Sequence, residues 1–121
     1  MKYNDFTELP IWSEARNIVT YIYTLTTTSK VIKDFGFKDQ IQRASVSIMN
    51  NIAEGFDSGG NKNFIKYLQY LQASCSEIIS MLYIALDLKY IENNLFDDLL
   101  NKIVDCRKQI KGFIKYLRTL N

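Results

Sequence analysis

Polarity along Gln40–Gly55 repeats with a helical period. Gln40, Arg43, Ser47, Asn51 and Glu54 are spaced by three, four, four and three residues. At about 100° per residue all five lie within roughly 80° of one another on a helix. The spacing is that of a coiled-coil seam, yet the seam carries hydrogen-bonding side chains. Apolar residues flank it on both sides. Phe37, Ile41, Ala44, Ile48 and Ile52 form one face, and Val46, Met49, Ala53 and Phe56 form another. A helix with two apolar faces calls for two partners, one inside its own subunit and one outside it. The polar stripe between them is either a buried network or a site.

The same periodicity predicts four helices. The first runs from about Pro10 to about Thr26, with Trp12, Ala15, Val19, Ile22 and Leu25 or Thr26 as its apolar seam. Pro10 suits a first helical turn, where a missing N–H leaves no bond unmade. The β-branched run Thr26–Thr28, followed by Ser29, weakens the helix and ends it. The second covers about Phe37 to Gly55. Asp57–Asn61 is the clearest loop. The third runs from about Lys62 to Glu92 along Leu68, Leu71, Cys75, Ile78, Leu82 and Ala85 or Leu86. At 1.5 Å per residue it is about 45 Å long, and Asn93 and Asn94 break it. The fourth spans about Leu95 to Leu117, with Leu99, Ile103, Cys106, Ile110, Phe113 or Ile114, and Leu117 as its buried stripe. Four amphipathic helices on short loops predict an all-α, antiparallel up-and-down four-helix bundle filling residues 1–121 as one domain.

Composition narrows the picture. No run of 18 apolar residues exists and no apolar signal region opens the chain, so the expectation is a cytoplasmic protein with no membrane partner. Cys75 and Cys106 have no metal or redox spacing and each falls in an apolar stripe, which reads as buried free thiol. The chain contains no histidine. That removes His-based triads, H-E-x-x-H zinc sites and Glu-x-x-His di-iron bundles. No strand precedes a Gly-rich phosphate loop. Glu54 and Glu77 are the only carboxylates placed for the interior, and hydrogen bonds from Arg43, Asn51 or a serine account for them better than acid–base work. The segment Gly55–Lys62 reads as an interhelical loop rather than an anion site. No enzyme, cofactor or metal is expected.

The segment Asp39–Gly55 also carries a resemblance. Gln40, Ile41, Arg43, Ala44, Ser47, Ile48, Asn51, Ile52, Ala53, Glu54 and Gly55 match the pattern Q-I-R-R-A-x-x-S-I-x-x-N-I-A-E-G. Phe6, Leu9 and Trp12, then Phe64, Tyr67, Leu68, Ser74 and Glu77, extend the match over the whole chain. The chain thus resembles the four helix bundle proteins encoded in intervening sequences of bacterial large-subunit ribosomal RNA genes. It is similar, too, to accessory proteins of diversity-generating retroelements. The resemblance implies a homopentameric ring of bundles, and partners that include nucleic acid and a reverse transcriptase. Two positions depart from the pattern. Met49 stands where many members have proline, which straightens the second helix. Ala73 stands where many have glycine, which widens a close helix contact.

Net charge is only +2, but its distribution is uneven. Between Lys102 and Arg118 lie six positive residues and one negative, Asp105. Arg107, Lys108, Lys111, Lys115 and Arg118 occupy one arc of roughly 100° on the fourth helix, away from its apolar stripe. Antiparallel packing brings the end of that arc beside Lys62 and Lys66. Asp87, Glu92, Asp97 and Asp98 gather at the opposite loop. A charged face on a monomer is ordinarily solvated surface. Repeated around a ring axis, it raises the local positive potential and favours a polyanion. No aromatic-rich platform accompanies it, so base-specific reading is not expected.

The reading is a homo-oligomeric, non-catalytic binding or scaffold protein that contacts RNA or DNA by charge. The alternative is a protein-interaction scaffold whose basic face keeps the ring soluble. Val46, Met49, Ala53 and Phe56 are the expected oligomer interface. Gln40, Arg43, Ser47, Asn51, Glu54 and Glu77 are the expected structural network, with Arg43 partly buried on Glu54 or Glu77. Arg43 and Glu54 are 11 residues apart on one helix, about 16 Å, so a direct pair between them crosses chains. Met49→Asp is expected to shift the assembly toward smaller species. Light scattering reads this, and a parent protein that stays monomeric across micromolar concentrations refutes the ring.

Overall fold

Local bonds and close contacts, more than propensity, set several of the helix ends. The computed structural model describes residues 2–28 and 30–120. Its four helices are α1 (Pro10–Leu25), α2 (Phe35–Asp57), α3 (Asn61–Asp87) and α4 (Asn93–Arg118), with 3-10 turns at Phe6–Glu8 and Val31–Lys33. Each packs on its neighbours in the chain, and α1 closes the bundle against α4. The architecture is the expected up-and-down four-helix bundle.

Pro10 does occupy the first helical turn. The buried stripe of α1 is Ile11, Ala15, Ile18, Ile22 and Leu25, rotated slightly from the expected one. Trp12 and Val19 lie half-buried on its flank. Trp12 is drawn aside because its ring packs edge-on against Phe6, centroids 5.5 Å apart. At the other end Thr26 is fully buried, and its hydroxyl donates to the Ile22 carbonyl at 2.9 Å. It also accepts from Gln42 Nε2 at 2.8 Å, tying the end of α1 to α2. Ser29 lies outside the described residues.

Helix α2 starts two residues before the expected Phe37 because Asp34 caps it, accepting from the Phe37 amide at 3.2 Å. The Tyr90 hydroxyl donates to the other Asp34 oxygen at 2.7 Å, and that bond holds the phenol above its ordinary pKa. The helix runs unbroken through Met49 and past Gly55 to Asp57.

Helix α3 ends at Asp87, short of the expected Glu92. Lys89 takes the left-handed conformation at φ 60°. Its amide donates to the Leu86 carbonyl at 3.1 Å and the Tyr90 amide to Ala85 at 2.8 Å, the paired bonds of a Schellman stop. Asn93 and Asn94, expected to break the third helix, instead begin α4.

Isoleucine and leucine fill the interior: Ile22, Ile41, Ile48, Ile52, Leu68, Leu71, Ile78, Leu82, Ile103 and Ile110 have no solvent exposure. Each such side chain contributes about 1.5–3 kcal/mol by leaving water. Cys75 and Cys106 are free and buried, as expected. A hydrogen bond to Cys75, then burial, pushes the Cys106 thiol well above its ordinary pKa, so it stays protonated. Aromatic clusters brace both ends. Phe64 meets Phe56 at 6.0 Å and Phe113 at 5.5 Å. At the far end Phe37 meets Tyr90 at 5.3 Å and Tyr83 meets Phe96 at 5.1 Å.

Gly55 is a point of close approach between α2 and α3. A Cβ there would stand 2.8 Å from Tyr67 Cβ and 2.9 Å from Phe64 Cδ1. Tyr67 Cβ is fixed to the α3 backbone, so the helices themselves must separate to admit it. Ala73, in contrast, is exposed. Overpacking of this kind costs about 1–3 kcal/mol, and alanine's better helix propensity recovers under about 1. Gly55→Ala is therefore expected to destabilise by about 1–2 kcal/mol, seen as a lower urea midpoint with an unchanged slope at fixed protein concentration.

Candidate nucleic-acid interface

Lys62, Lys66 and Gln69 recur every three or four residues along the first turns of α3, on one face. Lys111, Lys115 and Arg118 do the same along the last turns of α4. Because α3 and α4 run antiparallel, the two rows meet. One cleft of about 530 Å³ is lined by Lys62, Asn63, Ile65, Lys66, Gln69 and Arg118. A second, of about 400 Å³, is lined by Gln69, Gln72, Lys111, Ile114, Lys115 and Arg118. Gln69 and Arg118 line both, so the clefts form one groove along the α3–α4 seam. Among the described residues none of its five cations is in an ion pair. Their charge is free to meet an anion.

Five of the seven basic residues singled out from the sequence thus converge. Arg107 lies further along the same seam, where Nη1 reaches Ser76 Oγ at 3.4 Å. Lys108 is exposed and lines neither cleft. The carboxylates of Asp87, Glu92, Asp97 and Asp98 are exposed at the opposite end of the bundle.

The polar stripe of α2 divides into two parts. Gln40 Nε2 donates to Glu77 at 2.8 Å. Asn51 Nδ2 donates to the Ser47 carbonyl at 2.8 Å and to Ser47 Oγ at 3.0 Å, and Ser74 donates to Ser47 Oγ at 3.1 Å. These bonds knit α2 to α3. Arg43 does not join them. Its side chain is 79% exposed and pairs with Asp39 one turn back, at 2.9 Å. Glu54 is exposed as well. The expected burial of Arg43 on Glu54 or Glu77 is not found within the subunit. The cause is angular: Arg43 lies about 40–60° around the helix from Gln40 and Ser47, enough to turn it from α3 toward solvent.

The proposed oligomer residues Val46, Met49, Ala53 and Phe56 are all half-buried. Val46 lines a cleft of about 510 Å³ with Val19, Thr20, Tyr23 and Thr24 of α1 and with Thr27 just beyond its end. Phe56 rests on Phe64. The subunit therefore covers part of this flank and leaves part uncovered.

Tyr70 escaped the sequence reading, and Tyr67 entered it only through the family pattern. Tyr67 and Tyr70, with Asn51, Ser58, Asn63 and Lys66, line a cleft of about 620 Å³ between α2 and the start of α3. It adjoins the basic groove, since Asn63 and Lys66 line both. These two rings stand beside the charge without forming an aromatic-rich platform. The signal was the spacing: Lys66 and Tyr70, four apart, share a helix face.

A four-helix bundle with a polar α2–α3 seam and one cationic groove defines the class of protein. The model of the 23S rRNA-intervening sequence protein family matches residues 7–112, and the chain belongs to that family. A comparison with curated proteins finds no match. Among the described residues no helix is long and apolar enough to cross a membrane.

The Arg43–Asp39 pair gives a quantitative expectation. An exposed pair of this spacing contributes about 0.3–0.5 kcal/mol. Arg43→Met is expected to cost no more than about 0.5 kcal/mol. A loss of about 3–5 kcal/mol in urea unfolding would mean that a neighbouring chain buries and pairs the guanidinium.

Proposed function

We propose that the protein is a homo-oligomeric, non-catalytic binding protein that holds RNA or DNA by its phosphates in the α3–α4 groove. The observation that carries this reading is the meeting of Lys62, Lys66, Lys111, Lys115 and Arg118 from two helices, with no carboxylate of the described residues paired to them. Gln69 and Gln72 add neutral hydrogen-bond donors between the cations. Such a groove follows a backbone of regularly spaced charge. It has no hydrogen-bonded acid or base trained on a reacting atom. The family description supplies the setting, a 23S rRNA intervening sequence, and names no ligand. Self-association through the uncovered flank of α2, as the pentameric ring that the family resemblance implies, would repeat the groove about an axis and multiply its field.

A second reading has its own observation. Ile32, Phe35, Tyr83, Ile84 and Leu88 are exposed at the end of the bundle away from the groove, Phe35 at 72%. An apolar end of this kind suits a protein partner, and a scaffold without nucleic acid would use it.

Salt separates the two. Binding through phosphates should weaken with salt at a log–log slope of about −0.9 per neutralised phosphate for duplex DNA and about −0.7 for single strands. Changing Arg107, Lys111, Lys115 and Arg118 together to glutamine is expected to flatten that slope while light scattering shows the same oligomer. Unchanged binding clears the groove of the role. A parent protein that binds neither RNA nor DNA at low salt leaves the scaffold reading.

A further inference from the structure

The cleft lined by Tyr67 and Tyr70 is not part of the phosphate groove but opens beside it. Its volume, about 620 Å³, falls in the range of small-ligand sites. Tyr67 is half-buried, so its ring is held in place. Tyr70 is 71% exposed, an unusually bare aromatic ring for a folded subunit. Both rings lie on α3 beside Lys66, which faces the groove as well as the cleft. We propose that this cleft receives an unstacked base of a single-stranded nucleic acid, stacked on Tyr70, while the adjoining phosphate rests on Lys66 and Lys62. The inference builds on the groove as a phosphate track and adds a selection of unpaired strands over duplex.

Three features support it. Aromatic faces beside cations are how single strands are held without sequence reading, because every base has a π face. A duplex can offer a base to a lateral cleft only by unpairing and unstacking it, whereas a single strand has little to lose. The third feature is the polarity of the lining. The amide nitrogen of Asn51 is engaged by the Ser47 carbonyl, and that of Asn63 donates to the Gly59 carbonyl at 3.2 Å. A carbonyl accepts only, so both amides are oriented with nitrogen committed and oxygen left over. Among the described residues neither Asn oxygen has a partner, and the Ser58 hydroxyl proton is given to the Gly55 carbonyl at 2.7 Å. The lining therefore presents three oxygen acceptors, from Asn51, Ser58 and Asn63, beside the donors of Lys66 and the two phenols. Acceptors suit bases with an exocyclic amino group, which cytosine has at the position where uracil carries a carbonyl.

The test uses the full chain in its native assembly and fluorescence anisotropy at one low salt concentration. The probes are labelled oligocytidylate, oligouridylate and a mixed-sequence duplex of equal length. The parent is expected to bind oligocytidylate tightest, then oligouridylate, then duplex. Tyr70→Ala should weaken single-strand binding about tenfold and leave duplex binding and the salt slope unchanged, since no phosphate contact is lost. Tyr70→Phe, which keeps the ring, should restore it. Lys66→Gln should lower the salt slope for single strands. Equal affinity of parent and Tyr70→Ala for oligocytidylate overturns the base cleft and leaves the groove standing. A parent that binds none of the probes overturns the groove reading and the cleft with it. A changed oligomer mass in Tyr70→Ala marks the cleft as a subunit contact and overturns the proposal.

Discussion

The close approach of α2 and α3 at Gly55 governs much of what surrounds it. Missing a single methyl, α2 settles against Tyr67 and Phe64. That proximity brings Ser47 within hydrogen-bond reach of Ser74, and Gln40 of Glu77, further along the same seam. Phe64, pressed from one side, meets Phe113 on the other and so passes the position of α2 on to α4. The first turns of α3 are thereby fixed against the last turns of α4, which is where the cationic groove forms. Tyr67 serves twice, as the surface Gly55 rests on and as a wall of the cleft beside the groove.

Much of this fold was legible along the chain. Three-and-four spacing placed all four helices, because a helix that must bury one stripe writes its period into the sequence. Ends were less legible. Lys89 stops α3 in a left-handed conformation that glycine or asparagine ordinarily signals, so nothing in its identity announced the stop. Asn93 and Asn94 looked like breakers and proved to be a helix start, since short polar residues favour both roles. The phase of α1 was off by a residue because Trp12 is as apolar as any core residue, yet it is claimed by Phe6. These are tertiary facts about who reaches whom, and periodicity does not contain them.

The site was legible by charge and not by shape. Antiparallel packing alone placed Lys62 and Lys66 opposite Arg118, and the structure brings those three together. Arg43 stands outside its own subunit's α2–α3 network, because a difference of less than a fifth of a turn decides whether a side chain on that stripe meets a neighbouring helix or water. Tyr70 was passed over because tyrosine is ordinary on a half-buried helix. Only the exposure of Tyr70 and the neighbouring groove distinguish it. The carboxylates of Asp87, Glu92, Asp97 and Asp98 stand at the end of the bundle away from the groove, too far to pair with its cations.

Cys75 and Cys106 give the molecule a gauge of its own motion. Both thiols are sealed between α3 and α4, and both are free. An alkylating reagent reaches them only when the bundle opens, and the groove lies on the seam between the two helices that carry them. The labelling rate therefore reports how often the bundle opens at that level, with no added probe. A polyanion that bridges the groove's walls would slow that rate, whereas one that contacts a single helix would leave it alone.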